Sequence, residues 1–350
     1  MSSSLHSPST VRREIQDLSA YVPGLSIDEI RQKYGLTQVV KLASNENPLG
    51  TSPLVQQRLR TAAGMAFRYP QGGNPRLVHA LAKRHKVAPE RVIVGNGSDE
   101  IIDLLIRLRA TPGTHNIVCF KPCFSIYPIQ AKVCGVEVRQ TPLNKDFSFP
   151  FDALRALIDD NTALVFITTP DNPSGYCASA ADVCALAAGL PQGCLLVVDE
   201  AYMDFADDEQ ATSLLAQGAS LPNVAFLRTF SKSYGLAGLR LGYGVLPQEL
   251  AGYMWRARLP FSVNILAEEA GLAALEDAVF YQETLRVVRE GRSQLGAGLT
   301  TLGCTVYPTQ ANFIMIAPPA GIDAQELFEK LLQKGFIVRP LKSYGLPYRC

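Results

Sequence analysis

From residue 91 onward the chain repeats one pattern, a short apolar run followed by a polar or glycine-bearing break and then apolar positions at helical spacing. The runs Arg91 to Val94, Asn116 to Phe120, Val136 to Arg139, Ala163 to Thr168, Leu195 to Val198, Val224 to Leu227 and Leu239 to Val245 predict strands. They are rich in β-branched residues and too short for helices. The segments Ile101 to Leu108, Cys123 to Lys132, Asp152 to Asp159, Ala180 to Ala188 and Leu214 to Gln217 predict helices between them. Strands that are apolar throughout, rather than alternating, are covered on both faces. The fold class is therefore α/β, a mostly parallel (mixed) sheet sandwiched by helices.

The flanks read differently. Val11 to Ala20 predicts a short amphipathic helix, Tyr21 to Gly24 a turn, Ser26 the cap of a second helix, and Val39 to Leu42 a strand leading into the turn-rich Ala43 to Gly50. After Asn264 an Ala/Glu/Leu/Arg-rich stretch predicts one long helix to about residue 299. Thr305 to Ala317 and Phe336 to Leu341 predict strands with the helix Ala324 to Lys334 between them. The expected division is an N-terminal arm with part of a small domain (1–45), a large domain (46–260), and a smaller α+β domain (261–350) beginning near Pro260.

Composition narrows the partners. At 350 residues and 47% hydrophobic content the chain can bury a sizeable core. Thirty-three basic against thirty-two acidic residues, with no run of like charge, exclude a nucleic-acid footprint. The longest apolar stretch, Val183 to Val198, is broken by Pro191-Gln192-Gly193 and falls short of the roughly 18 residues a membrane helix needs. Met1 to Thr10 is polar and Ser-rich, unlike a secretory signal, so a cytoplasmic protein is expected. The eight cysteines form no C-x-x-C pair and read mostly as small core residues in a reducing compartment. The four histidines have no ligand spacing to cysteine and read as surface residues, so no metal is expected.

Polar residues gather where the apolar runs end. Gly95 to Glu100, Pro122-Cys123-Phe124, Thr169 to Pro173, Asp199 to Tyr202 and Ser231-Lys232 each follow a predicted strand directly. Ligands of such sheets bind beyond the carboxyl ends of the strands, so these five loops are expected to share one crevice. Gly97-Ser98-Asp99 opens a helix, where free N–H groups and the dipole favour an anion; the same residues also suit a plain tight turn. Arg240, eight positions after Lys232, either completes a phosphate site or is a surface arginine. Asp199 emerges from a buried strand and needs a cationic partner, which a structural arginine or a protonated pyridine nitrogen would supply. Tyr202 is within reach of a ring oxygen in the second case. Phe124 offers a face for a ring, or fills core. Lys232 is either a solvated loop charge or an amine kept partly unprotonated for condensation with a carbonyl. Phosphate cradle, stacking face, acid and amine together describe a pyridoxal phosphate pocket.

These residues resemble the fold-type I, pyridoxal-phosphate-dependent aminotransferases of class II, and within them the histidinol-phosphate aminotransferase family. The motifs that carry the resemblance are Lys41 to Pro48, Arg68-Tyr69-Pro70, Thr169 to Gly175, Val198 to Tyr202, and the Lys232 segment with Leu239-Arg240-Leu241-Gly242. The resemblance implies that Lys232 is the Schiff-base lysine and proton carrier, that Asp199 pairs with the pyridine nitrogen, and that Asn172 and Tyr202 hold the phenolic oxygen. It implies phosphate binding by Ser98, Asp99, Thr229, Ser231 and Arg240, and a stacking role for Phe124 where the family usually has tyrosine. Tyr69 matches a tyrosine that reaches the neighbouring subunit's phosphate, which implies a homodimer with shared sites. Tyr21, Asn47, Asn172 and Arg339 match positions on the substrate side. In the family the segment after Tyr344-Gly345-Leu346-Pro347 leads to a strand with a second substrate arginine and then a helix; neither follows here, and Arg349 lies near but outside the matching motif.

The activity so implied is transamination of L-histidinol phosphate with 2-oxoglutarate, giving glutamate. Its nearest alternatives are an aromatic amino-acid aminotransferase and a decarboxylase of a phosphorylated amino acid, which share the pocket and differ at its rim. A regulator that kept the fold without the chemistry would be expected to lose Lys232 or Asp199, and both are present. A nicotinamide dehydrogenase lacks support, because no Gly-x-Gly-x-x-Gly follows the first strand.

Overall fold

The computed structural model describes residues 11–16, 18, 24–218 and 221–350. Tyr21 and most of its turn lie outside the described residues, as does His6. The strands are β1 (Val40–Lys41), β2 (Val92–Asn96), β3 (Asn116–Lys121), β4 (Glu137–Pro142), β5 (Thr162–Thr168), β6 (Leu195–Asp199), β7 (Val224–Thr229), β8 (Leu241–Val245), β9 (Thr305–Val306), β10 (Ile316–Ala317) and β11 (Phe336–Ile337). Seven of them form the main sheet in the order β2-β8-β7-β6-β5-β3-β4. β8 runs antiparallel to both of its neighbours, and the other pairs are parallel. The α/β class and the mixed, mostly parallel sheet are as the apolar runs predict.

The helices are α1 (Arg13–Gln16), α2 (Ile27–Tyr34), α3 (Pro53–Ala62), α4 (Pro75–His85), α5 (Ser98–Arg109), α6 (Ile126–Val133), α7 (Phe151–Arg155), α8 (Ala180–Ala188), α9 (Glu209–Thr212), α10 (Gln248–Ala257), α11 (Ile265–Glu276), α12 (Ala278–Thr301) and α13 (Ala324–Gln333). Two buried clusters lie on the two faces of the sheet. One joins Val94, Val118, Val165, Leu196 and Phe226 to α4, α8 and α11; the other joins Ile93, Ile117, Leu164, Val197 and Leu227 to α5, α6 and α10. Neighbouring strand residues alternate between the clusters, which is why every one of these positions has to be apolar.

The strand expected over Phe336 to Leu341 pairs only at Phe336–Ile337, where Pro340 offers no donor beyond it, and four further elements differ, each for a local reason. The long helix after Asn264 is two helices: Asp277, at φ −88° and ψ 71°, leaves the helical region and its carboxylate accepts from Phe280 N at 3.0 Å, capping α12. The alanine face of α11 (Ala267, Ala270, Ala273, Ala274) then packs into the main core. Leu214 to Gln217 is a turn anchored by buried Leu214 and Leu215, and the helix lies upstream at α9, capped by Asp208. Thr305 to Ala317 pairs only at its ends, because Pro308 offers no donor and Gln310 N instead bonds to Gly175 O at 2.9 Å. Leu239 closes a single helical turn and Arg240 takes φ 54°, so β8 begins at Leu241.

A smaller unit forms around β1 and β11, which pair in parallel with Val40 opposite Phe336 and Lys41 opposite Ile337. Ile30, Ala43, Leu332 and Ile337 make its core. Capping by Ser26 and the reciprocal bond from Ser26 N to Glu29 fix the start of α2 as the sequence predicts. Among the described cysteines Cys119, Cys123 and Cys194 are buried as expected, whereas Cys184 is exposed on α8. His85 departs from the surface reading. Half-buried in the last turn of α4, it hydrogen-bonds Tyr243 Oη at 2.8 Å, and desolvation together with the Arg228 and Arg84 charges pushes its pKa down to about 3, so it is neutral at any ordinary pH.

Candidate functional site

The carboxyl ends of β5, β6 and β7 and the amino end of α5 enclose a cavity of about 250 Å³. Its floor is made by Asp199, the last residue of β6 and 2% exposed. Tyr127 Oη donates to Asp199 Oδ2 at 2.7 Å and pairs with Thr168 Oγ1 at 2.7 Å, while Ala201 N donates to Asp199 Oδ1 at 3.1 Å. Burial raises the Asp199 pKa to about 6, against the pull of these donors and with help from Asp99 and Glu200. Such a carboxylate is poised to receive a cation into the cavity.

Lys232 faces it. The Nζ donates to the Ser44 carbonyl at 3.1 Å and lies 5.6 Å from the centre of the Tyr202 ring. Burial lowers its pKa to about 8; Glu46, Asp99 and Asp199 favour the charge, and Arg240 opposes it. A lysine brought this close to neutrality is a usable nucleophile and base. The Tyr202 hydroxyl accepts from Asn45 Nδ2 at 3.1 Å and Asn172 Nδ2 at 3.3 Å, and so is held at the cavity wall. Phe124 lines the opposite wall and meets Tyr127 edge-on at 5.6 Å.

At the far end the residues make an anion cradle. Gly97, at φ +76°, turns the chain into α5, and a Cβ there would lie 2.6 Å from Arg240 Nη2. A Cβ at Gly242 would lie 2.4 Å from Ser98 N, so glycine at both positions lets strand, helix N-terminus and guanidinium converge. Arg240 also reaches Asp99 Oδ2 at 2.9 Å. Thr229 Oγ1 and Ser231 Oγ, 3.0 Å apart, add hydroxyls to the same wall. A dianionic phosphate fits this donor set, and an aldehyde-bearing aromatic ring fits between Phe124, Asp199 and Lys232.

The structure thus gathers Ser98, Asp99, Phe124, Asn172, Asp199, Tyr202, Thr229, Ser231, Lys232 and Arg240 into one cavity. Three other predicted residues lie elsewhere. Asn47 Nδ2 donates to Ser233 O at 3.0 Å and Thr284 Oγ1 at 3.3 Å, tying its turn to the lysine loop. Tyr69 is 81% exposed and stacks on Phe261 at 4.9 Å beside a separate groove. Arg339 lies over the Tyr344 ring at 5.8 Å. Ser44 and Glu46, which belong to the Lys41 to Pro48 motif but have no assigned role there, also line the cavity with Thr168, and Tyr127 stands behind Asp199. The Asn172–Pro173 peptide is cis, as are Thr169–Pro170 and Lys121–Pro122.

Asp171, next to Asn172, carries a pH signature. It is 2% exposed, and burial lifts its pKa from 3.8 to about 7 although Ser174 Oγ donates to it at 2.6 Å. The folded chain therefore binds more protons than the unfolded one across this window, so the stability contributed is fully present below about 3.8 and lost as pH rises through about 7. The melting temperature of wild type minus that of Asp171→Asn is expected to be larger near pH 5 than near pH 8. The same residual groups, Asp199 included, titrate in both proteins and cancel. Thermal melts across this range check it, and a pH-independent difference would contradict it.

The match to known proteins agrees with this geometry. Residues 37–350 fit the family model described as aminotransferase class I and II. Over 344 residues the chain is 65% identical to a histidinol-phosphate aminotransferase of Nitratidesulfovibrio vulgaris (strain DP4), covering 98% of this chain and 92% of the relative. A histidinol-phosphate aminotransferase of Oleidesulfovibrio alaskensis is 62% identical over 96% of this chain and 88% of its own length. The solved histidinol-phosphate aminotransferase of Sinorhizobium meliloti in complex with pyridoxal-5'-phosphate superposes with a TM-score of 0.86 at 27% identity, covering 96% of this chain and 90% of that one. The chain belongs to the class I and II aminotransferases and, within them, to the histidinol-phosphate aminotransferase family.

Proposed function

We propose that this chain is a pyridoxal-phosphate-dependent aminotransferase that exchanges the amino group of L-histidinol phosphate with 2-oxoglutarate, yielding glutamate, in histidine biosynthesis. The observation that carries this reading is that the half-buried Lys232 amine shares one cavity with the buried Asp199 carboxylate and an anion cradle. Relatives at 65% and 62% identity bear the histidinol-phosphate aminotransferase name.

Bound pyridoxal phosphate supplies an aldehyde for covalent attachment and a pyridinium ring that accepts electrons. Lys232 would be the attachment amine, and its Nζ would be the base that moves the substrate Cα proton. Asp199, held by Tyr127 and Ala201 N, would keep the ring nitrogen protonated. Tyr202 and Asn172 would hold the phenolic oxygen, and Phe124 would cover the ring. Ser98, Thr229, Ser231 and Arg240 would hold the phosphate, with Asp99 donating through its backbone N–H at the start of α5.

Tyr69 is assigned to the partner's cavity in a homodimer, a role that its exposure and its stacking with Phe261 support. Tyr21, Asn47, Asn172 and Arg339 are assigned to the substrate side, and the enzyme to the cytoplasm. Among the described residues no helix is long and apolar enough to cross a membrane.

A half-reaction panel tests the substrate. Histidinol phosphate is expected to convert the bound cofactor at least about tenfold more efficiently than phenylalanine, tyrosine or phosphothreonine, a margin of ~1.4 kcal/mol in transition-state binding. Equal or better conversion of phenylalanine or tyrosine would move the assignment to aromatic amino acids, and release of carbon dioxide from phosphothreonine would move it to decarboxylation.

A further inference from the structure

On the other side of β6 and β7 from the cavity lies a buried ion cluster that the chemistry above does not use. Arg228 of β7 is 4% exposed. Its Nε donates to Glu200 Oε2 at 2.8 Å, its Nη1 to Asp204 Oδ1 at 3.0 Å, and its Nη2 to Glu209 Oε1 at 2.8 Å and Ser213 Oγ at 3.3 Å. Ser213 Oγ donates in turn to Glu200 Oε1 at 2.7 Å. The Ser233 hydroxyl donates to the second oxygen of Asp204.

The members of this cluster are chain neighbours of the cavity residues. Asp199, Thr229 and Lys232 face the cavity, whereas Glu200, Arg228 and Ser233 face the cluster. Each segment that supplies the ring acid, a phosphate hydroxyl or the amine is therefore tied, one residue away, to the same guanidinium or to its Asp204 partner. Burying these charges is a poor route to stability, because apolar residues of similar volume serve a core as well or better. What an ionic cluster adds is fixed geometry, since a guanidinium donates only in its own plane and at set angles.

We propose that the Arg228–Glu200–Asp204–Ser233 cluster is a positioning device that sets the Lys232 amine against the Asp199 carboxylate from outside the cavity, an inference that rests on the aminotransferase reading. None of its members lines the cavity; Glu200, Arg228 and Ser233 act through their chain neighbours Asp199, Thr229 and Lys232, and Asp204 acts by holding Arg228 and Ser233. Ser233 carries the most direct link, because its bond to Asp204 holds the lysine loop down on the residues that follow Asp199.

The test compares Ser233→Ala and Glu200→Gln with wild type in three measurements: melting temperature of the apoprotein, affinity for pyridoxal phosphate by titration of the apoprotein, and kcat and KM in the histidinol phosphate half-reaction. Ser233→Ala is expected to lose about tenfold in kcat and in cofactor affinity at nearly unchanged KM and melting temperature, since a misplacement of ~1 Å costs up to about a hundredfold. Glu200→Gln is expected to lose more in both. A lowered melting temperature with wild-type kcat and cofactor affinity would overturn the proposal and leave the cluster a stability element. If Glu200→Gln does not fold, Ser233→Ala, which removes a single hydroxyl, decides alone. A wild-type protein that takes up no cofactor would instead defeat the aminotransferase reading, before any variant is compared.

Discussion

Replacing Lys232 by alanine is expected to lower transamination by about 10⁴-fold or more, because one change removes both the attachment amine and the base that moves the Cα proton. In the wild-type protein borohydride should fix a pyridoxyl group on the peptide that contains Lys232, and in the variant it should fix none. The fold should survive. Lys232 is half-buried, its Nζ donates to the Ser44 carbonyl, and desolvation already opposes its charge. Truncation therefore removes a costly group rather than a structural one, and the melting temperature of the apoprotein should hold or rise. Peptide mapping of the reduced protein settles the matter. A label on any other lysine, or turnover within about tenfold of wild type, would show that the nucleophile lies elsewhere.

Asp199→Asn is the second large effect. The amide keeps the shape of the carboxylate and still accepts from Ala201 N, but it offers no charge to a ring nitrogen. The expected loss is on the order of 10²–10³-fold in kcat, typical of removing one preorganised electrostatic partner from a water-poor site. Cofactor affinity should fall as well. The direction follows from the cavity itself, where Asp199 is ionised at neutral pH despite a pKa raised to about 6 and so stores unfavourable energy that a cation relieves. Turnover close to wild type in this variant would mean that another group protonates the ring.

Much of this site is legible in the sequence because strand ends are legible. Apolar runs stop abruptly at Gly95, Thr169, Asp199 and Ser231, and in a parallel sheet those stops must share an edge. What is not legible are residues whose role depends on which face of an element they present. Tyr127 sits among apolar neighbours in α6 and reads as core; only its hydroxyl reveals that it holds Asp199. Ser44 and Glu46 reach the cavity because Ser44 and Asn45 adopt φ 75° and 52°, a reversal that no apolar pattern encodes. The roles of Tyr69 and Arg339 come from the family resemblance, and within the single chain Asn47 bonds to Ser233 O, Tyr69 stacks on Phe261 and Arg339 lies over Tyr344. Arg228 did leave a trace, a lone charge inside Val-Ala-Phe-Leu-Arg-Thr, which a fully buried strand tolerates only with partners.

The pairing of β1 with β11 has a consequence for the order in which the protein is made. The strands and helices that hold Asp199, Lys232 and Arg240 have all left the ribosome once α11 has, and they share one core. The turn that delivers Ser44 and Glu46 is anchored to Phe336 and Ile337, near the other end of the chain. Closing that loop requires almost the entire polypeptide, and contacts so distant in sequence form late. A nascent chain is therefore expected to acquire its phosphate cradle and its lysine before it acquires the Ser44 carbonyl that orients the lysine.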